Sequence, residues 1–196
     1  MSILDDSLAQ PARQADRTKG CGPYPNQASS LYILPWEVDA SFVVESENCR
    51  PGSPTHSGNP KHAYDFTMPI GTPIHAARSG VVLDVEDLFR DGNRVPGSEN
   101  QIFVRHEDGT VARYYHLTYQ GVFVTPGDSV TQGQRIGLSG NTGNSANPHL
   151  HFDVTEVDCG EPFFGPLCVT VPITFRNTRQ HPSGLQLNEA YTAGSL

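Results

Sequence analysis

Glycine and proline interrupt this chain so often that long helices have little room to form. The 196 residues include 19 glycines and 16 prolines, and the apolar residues between them come in short runs. Both residues are common in turns and uncommon inside regular elements, so this spacing is typical of an all-β protein. We therefore predict compact antiparallel sheets that form a β-sandwich or curled sheet, built as one domain.

The predicted strands are short and lie in the middle of the chain. They are 41–44, 63–68, 80–88, 102–105, 111–117, 121–124, 135–138, 150–157 and 169–175. The dipeptide Asp108-Gly109 lies between two alternating runs and predicts a hairpin turn. Residues 1–29 and 179–196 lack an apolar pattern, so we predict an N-terminal extension, a domain over 30–178 and a C-terminal tail.

Two histidines end the glycine- and asparagine-rich stretch SGNTGNSANPHLHFDV, residues 139–154. On a strand, side chains two residues apart point to the same face, so His149 and His151 should reach into one site. The glycine-rich part of the stretch matches no phosphate-binding spacing and opens no helix. We interpret it as a loop bordering a groove.

A catalytic zinc site needs three protein ligands and an open position for water, so the two histidines require partners. Asp65 and His116 are candidates, together with either His56 or His62. If the segment around Asp65 is extended, His62 lies three residues from it and points to the opposite face. His56 belongs to a loop free of that constraint and is the favoured partner.

Charge and cysteine content exclude some functions and suggest a compartment. The net charge of −8 offers no basic surface for nucleic acid, and no apolar run is long enough for a membrane span.

Four cysteines allow three pairing schemes, and the simplest, Cys21–Cys49 with Cys159–Cys168, closes two local loops. Four free thiols, or a zinc site of four thiolates, are the alternatives; no C-x-x-C pair supports the latter. The first residues lack the features of a signal peptide, and we favour a trimmed secreted precursor.

Several blocks of the sequence resemble, in family order, the lysostaphin-type zinc metallopeptidases that cleave peptide bonds in peptidoglycan. The blocks are THSGNPKHAYDFTMPIGTPIHAARSGVV, RYYHL, PGDSVTQGQRIGLSGNTGNSANPHLHFDV and VPITF, and the resemblance covers about residues 32–177. It implies the peptidase fold of that family, with a metal-lined groove. One departure is that the first histidine lies nine positions before the aspartate, whereas many members use an H-x-G-x-D pattern.

Carried over residue by residue, the resemblance implies that His56, Asp65 and His151 bind one Zn²⁺ per chain. It implies that His116 and His149 act on water and substrate. The implied activity is zinc-dependent endopeptidase cleavage of peptide cross-links or bridges of bacterial peptidoglycan. The expected partner is this peptide substrate, with no nucleic acid and no membrane span, for a monomer located outside the cell or in the periplasm.

Two other functions compete with this one. A non-catalytic module on the same scaffold would bind a wall fragment or regulate another hydrolase, but regulatory relatives typically lose metal residues and this chain keeps a full set. A phosphohistidine or lipoyl-like carrier would explain the turns of PGDSVTQGQRIG but not the aspartate and the further histidines.

His75, His106 and His181 are predicted to be structural, with His106 in solvent beside its turn.

Overall fold

The computed structural model describes residues 22–46, 48–49, 61–156 and 168–196, and in these ranges the regular elements are strands apart from one short 3-10 helix. The elements are a 3-10 helix (Gln27–Ser29) and strands β1 (Ser41–Ser46), β2 (Tyr64–Thr67), β3 (Pro73–His75), β4 (Gly80–Glu86), β5 (Gln101–Arg105), β6 (Val111–Tyr115), β7 (Leu117–Val122), β8 (Ser129–Val130), β9 (Arg135–Ser139), β10 (His149–Thr155) and β11 (Ala190–Thr192). The all-β prediction is confirmed.

The strands form two antiparallel sheets. The larger has eight strands in the order β11-β1-β2-β10-β6-β5-β4-β8, and the smaller has three in the order β3-β9-β7. The predicted hairpin joins β5 to β6, with Gly109 at a φ of 82° in the turn. Strand β10 lies between β2 and β6, so its side chains have neighbours on both sides.

The core lies against one face of the larger sheet. Every second residue of β2, β6 and β10 points into it, and each of these side chains is fully buried: Tyr64, Phe66, Ala112, Tyr114, Leu150, Phe152 and Val154. Phe175 packs on the same layer through ring contacts with Tyr64 and Phe152. This apolar face fixes which residues of the three central strands point the other way.

Some predicted strands differ from the observed ones. The run 169–175 forms only isolated bridges at Thr170 and Phe175, because Pro172 has no N–H to continue a ladder. The run 111–117 is divided at His116, whose φ of 63° separates β6 from β7. Strands β3, β8 and β11 were not predicted, since two or three residues are too few to show alternation.

The C-terminal segment 179–196 differs from the predicted tail. Strand β11 pairs with β1, and Leu185 and Tyr191 are buried in the core. The described part of the N-terminal extension is attached to this segment, because Gln27 donates to the carbonyl of Thr178 and accepts from the N–H of His181. Both ends of the described chain therefore pack on the domain, although the sequence there shows no periodic pattern.

Two further expectations can be compared with the structure. His106 is buried rather than in solvent, and its Nδ1–H donates to the carbonyl of Ser79 at 2.9 Å. Cys49 and Cys168 are not free thiols, while Cys21 and Cys159 lie outside the described residues, so the pairing stays a prediction. No helix in the described ranges has the length and apolarity needed to cross a membrane.

Candidate active site

The first site residue, Asp65, lies in the middle of β2. Its neighbours Tyr64 and Phe66 point into the core, so alternation turns the carboxylate to the opposite face of the sheet. Asp65 is nevertheless only 7% exposed, so neighbouring groups cover most of it on this face.

Strand β10 brings His149 and His151 to the same face as Asp65. His151 lies directly opposite Asp65 in the ladder, and its Nδ1 is 2.8 Å from Asp65 Oδ1. His149 Nε2 is 3.7 Å from the same oxygen. The predicted placement of both imidazoles on one face is therefore what the structure has.

His116 joins this group from the junction between β6 and β7. Its ring centroid is 4.5 Å from that of His149 and 6.1 Å from that of His151. Its left-handed backbone conformation is uncommon for a side chain other than glycine, and such conformations concentrate at functional sites. Four of the five residues predicted for the site are thus brought together.

The fifth, His56, lies outside the described residues, and its role stays a prediction. The alternative, His62, lies away from the site: it is 4% exposed, and its ring is edge-on to Tyr24 at 6.1 Å. Burial lowers the pKa of His62 to about 4. It shares no hydrogen bond, ion pair or ring contact with the four site residues that the structure describes.

The loop between β9 and β10 determines which nitrogen of two histidines carries a proton. His116 Nδ1 is 2.7 Å from the carbonyl of Thr142, and His149 Nδ1 is 2.8 Å from the carbonyl of Asn147. A carbonyl only accepts, so both Nδ1 atoms carry hydrogen and Nε2 is the basic nitrogen of each neutral ring. Burial, with the neighbouring histidines, lowers the pKa of His116 to about 3, which keeps this ring neutral.

This loop is itself held by polar contacts with the segment between β4 and β5. Asp91 Oδ1 accepts from the N–H of Asn141 at 2.6 Å, and Asn93 Oδ1 accepts from the N–H of Gly143 at 2.7 Å. The backbone N–H of Asn100 donates to Thr142 Oγ1 at 2.9 Å. The stretch interpreted as a groove border therefore also orients His116 and His149.

Two residues that sequence reasoning missed, Asp153 and Arg113, lie behind His151. Asp153 Oδ2 lies 3.2 Å from His151 Nε2, and Arg113 binds both oxygens of Asp153 at 2.7 Å. Burial lowers the pKa of His151, but hydrogen bonds to Asp153 and Asp65 outweigh it and raise the pKa to about 9. Asp153 is two residues beyond His151, so the alternation that paired the histidines was the signal for it.

The donor set on this face fits a zinc ion. Asp65 and His151 present a carboxylate oxygen and an imidazole nitrogen side by side, both ordinary zinc ligands. The described residues alone contain no complete cluster of three or more such side chains able to hold a metal. A third ligand would have to come from elsewhere, and His56 is the predicted one.

Known proteins resemble this chain in sequence. Residues 59–162, just over half of the chain, match Peptidase family M23. Peptidoglycan DD-endopeptidase ShyA of Vibrio cholerae is 39% identical over 95 residues, 48% of this chain and 20% of the relative. Lysostaphin of Staphylococcus simulans is 41% identical over 97 residues, 49% of this chain and 18% of the relative.

The folds agree as well. The solved structure of the antimicrobial peptidase lysostaphin from Staphylococcus simulans superposes with a TM-score of 0.52 and 30% identity, over 74% of this chain and 52% of that one. The match spans about a fifth of the length of the two curated relatives. The matched segment contains Asp65, His116, His149 and His151, which lie together at one face of the larger sheet. The chain belongs to Peptidase family M23.

Proposed function

We propose that this chain is a zinc-dependent endopeptidase that hydrolyses peptide cross-links or bridges of bacterial peptidoglycan. The observation that carries the proposal is the convergence of Asp65, His151, His149 and His116 on one face of the sheet, in a chain of Peptidase family M23. The substrate class follows the relatives named as a peptidoglycan endopeptidase and as lysostaphin.

In this mechanism His56, Asp65 and His151 hold the metal. Bound zinc would polarise the scissile carbonyl and lower the pKa of a bound water from about 15.7 toward 7. Asp65 is buried, His151 is half-buried and both are hydrogen-bonded, so they are held in place before substrate arrives. This pre-organisation lowers the cost of assembling the reacting groups.

His116 and His149 supply the proton transfers. Each is a ring whose Nδ1–H is bound by a loop carbonyl, so Nε2 is available to accept a proton from the attacking water. As the C–O bond forms and the C–N bond breaks, a protonated imidazole gives its proton to the leaving amine or stabilises the oxyanion. The two rings lie close enough to share these steps.

The test is metal analysis combined with digestion of purified peptidoglycans that differ in cross-link chemistry. We expect one zinc per chain and new free amines from at least one wall type, with activity lost to a chelator and restored by zinc. A protein that binds zinc but cleaves no wall would indicate the non-catalytic module instead. A protein that binds neither zinc nor wall fragments would contradict the whole proposal.

The first ligand is tested by comparing His56→Ala with His62→Ala. We expect the His56 variant to lose zinc, whereas the His62 variant keeps it, because the ring of His62 contacts Tyr24 and not the site. Zinc content of the two purified variants decides between them. A metal-free His62 variant beside a metal-loaded His56 variant would reverse the assignment.

We also propose that the protein acts as a monomer outside the cell or in the periplasm, with disulfides Cys21–Cys49 and Cys159–Cys168. The second would close a short loop and stabilise the fold by about 2 to 3 kcal/mol. Cys168 is buried and is not a free thiol, which supports the proposal. Mass spectrometry of non-reduced peptides from protein made in an oxidising compartment would show a Cys159–Cys168 link, or else refute it.

A further inference from the structure

We propose that Asp153, held by Arg113, is the positioning residue that directs His151 Nδ1 toward the metal. The inference rests on the proposed function, since it concerns a ligand of the zinc site. It starts from register: His151 lies opposite Asp65 of β2, and Asp153 lies opposite Arg113 of β6. The sheet therefore places an acceptor for His151 and the cation that holds this acceptor in adjacent rows.

The hydrogen bond determines which nitrogen faces the site. Both ring nitrogens of His151 are within hydrogen-bond distance of a carboxylate: Nε2 is 3.2 Å from Asp153 Oδ2, and Nδ1 is 2.8 Å from Asp65 Oδ1. A neutral imidazole has one protonated nitrogen, so keeping the proton on Nε2 leaves the lone pair of Nδ1 for a metal. A carboxylate behind a histidine ligand fixes its tautomer and ring orientation in this way.

Asp153 is placed to act through His151 and not as a ligand. Its two oxygens bind Arg113 Nε and Nη2, each at 2.7 Å. It also lies on the Nε2 side of the ring, away from the Asp65 oxygen. The Tyr115 ring is edge-on to the His151 ring, with centroids 5.5 Å apart, and the Arg113 guanidinium carbon lies 5.5 Å from the Tyr115 centroid. The His151 ring therefore has little freedom to turn.

Stability alone does not account for this ion pair. The side chains of Arg113 and Asp153 are 9% and 0% exposed. Removing two charges from water costs free energy that their attraction often fails to recover, and apolar replacements of such pairs are often neutral or stabilising. An ion pair buried at this position, against a predicted ligand, is better explained by what it does to His151.

The same property supplies the test. In the double variant Arg113→Met/Asp153→Leu no buried charge is left unpaired, so we expect the fold to survive while Nε2 loses its acceptor. Zinc affinity, measured at fixed pH by competition with a chelator, should fall by about 10- to 100-fold. Asp153→Asn keeps an oxygen acceptor of similar reach and should lose less. Arg78→Met/Asp108→Leu removes a pair of the same 2.7 Å separation away from the site and should bind zinc like the parent.

Nitrogen NMR of the zinc-loaded protein gives a readout that a merely structural role would not change. We expect a slowly exchanging proton on His151 Nε2 in the parent, and fast exchange of this proton in the double variant. Zinc affinity equal to the parent's in both Asp153 variants, or zinc bound through His151 Nε2, would overturn this inference but not the proposed function. If the double variant does not fold, Asp153→Asn decides by the same criterion. A parent that binds no zinc would overturn the proposed function as well.

Discussion

The three central strands carry two different chemistries on their two faces. On one face of β2, β6 and β10, fully buried rings and aliphatic side chains pack together. The ring centroids of Tyr114 and Phe152 are 5.0 Å apart, and those of Tyr64 and Phe66 are 5.8 Å apart. The other face of the same strands carries two carboxylates, an arginine and two histidines: Asp65, Arg113, His149, His151 and Asp153. Hydrogen bonds join four of them, and His149 lies 3.7 Å from Asp65. Consecutive residues along each strand alternate between the two.

This difference separates what folds the protein from what gives it chemistry. A shift of one residue in the pairing of β10 would bury histidines in the core and expose Phe152, so the apolar face enforces the register. The site face contributes little apolar burial and includes charges that are expensive to bury. Its geometry is therefore maintained by the energy of the opposite face, and neighbouring positions should respond to mutation in different ways.

The largest effect is expected for His151→Ala, on the site face. Loss of the imidazole removes a predicted ligand, so zinc content should fall toward zero and wall cleavage by at least about 1,000-fold. The free energy of unfolding of the metal-free protein should change far less than activity does. Zinc analysis, cleavage rate and urea unfolding on one preparation check this, and a variant that retains zinc would remove His151 from the ligand set.

Phe152→Ala makes the opposite change one residue further on. Phe152 is fully buried against Tyr114 and Phe175, so truncation leaves a cavity and should lower the free energy of unfolding by about 3 to 5 kcal/mol. The fraction that stays folded at low temperature should keep zinc and cleave at a rate close to the parent's. Urea titration measures the first effect. If the folded variant lost zinc while its stability was unchanged, the proposed division between faces would be wrong.

His149→Ala tests a division within the site face itself. His149 shares a face with His151 but is held by the loop carbonyl of Asn147, and we assign it to proton transfer. Zinc should stay near one per chain while cleavage falls by about 100-fold or more, the scale expected when a general acid or base is lost. A variant as poor in metal as His151→Ala, or as active as the parent, would contradict the assignment.

Alternation along strands is a local property, and this is why so much of the fold and of the site follows from sequence. The spacing of His149 and His151 predicts their common face, and the odd separation of His62 from Asp65 predicts that they point apart. The arginine across the sheet from Asp153 depends on which strand neighbours β10 and in which register, and a single sequence does not contain that information. The tautomers of His116 and His149 depend likewise on carbonyls of a loop whose path is set by distant polar residues.

The smallest expected effect concerns His106, away from the site face, where burial is the largest influence on the pKa. His151 has two carboxylate neighbours and a pKa raised to about 9, whereas burial lowers the pKa of His106 to about 4. Its Nδ1–H donates to the carbonyl of Ser79, and Nε2 is buried without a hydrogen-bond partner among the described residues. The charged neighbours of His106 are Arg78, which lowers its pKa, and Asp108, which raises it, and these two pair with each other.

Because the folded pKa of His106 lies below the unfolded value of about 6.5, the unfolded chain binds the proton more readily. The stability contributed by neutral His106 is therefore fully present above about pH 6.5 and is lost as pH falls toward the folded value of about 4. Between about pH 7 and pH 5 the loss should be on the order of 2 kcal/mol from this residue. His106→Gln, which can still donate to Ser79 but does not titrate, should show a shallower fall in unfolding free energy over the same range. Urea titrations of the two proteins at several pH values measure the difference, and parallel curves would show that burial of His106 does not govern its protonation.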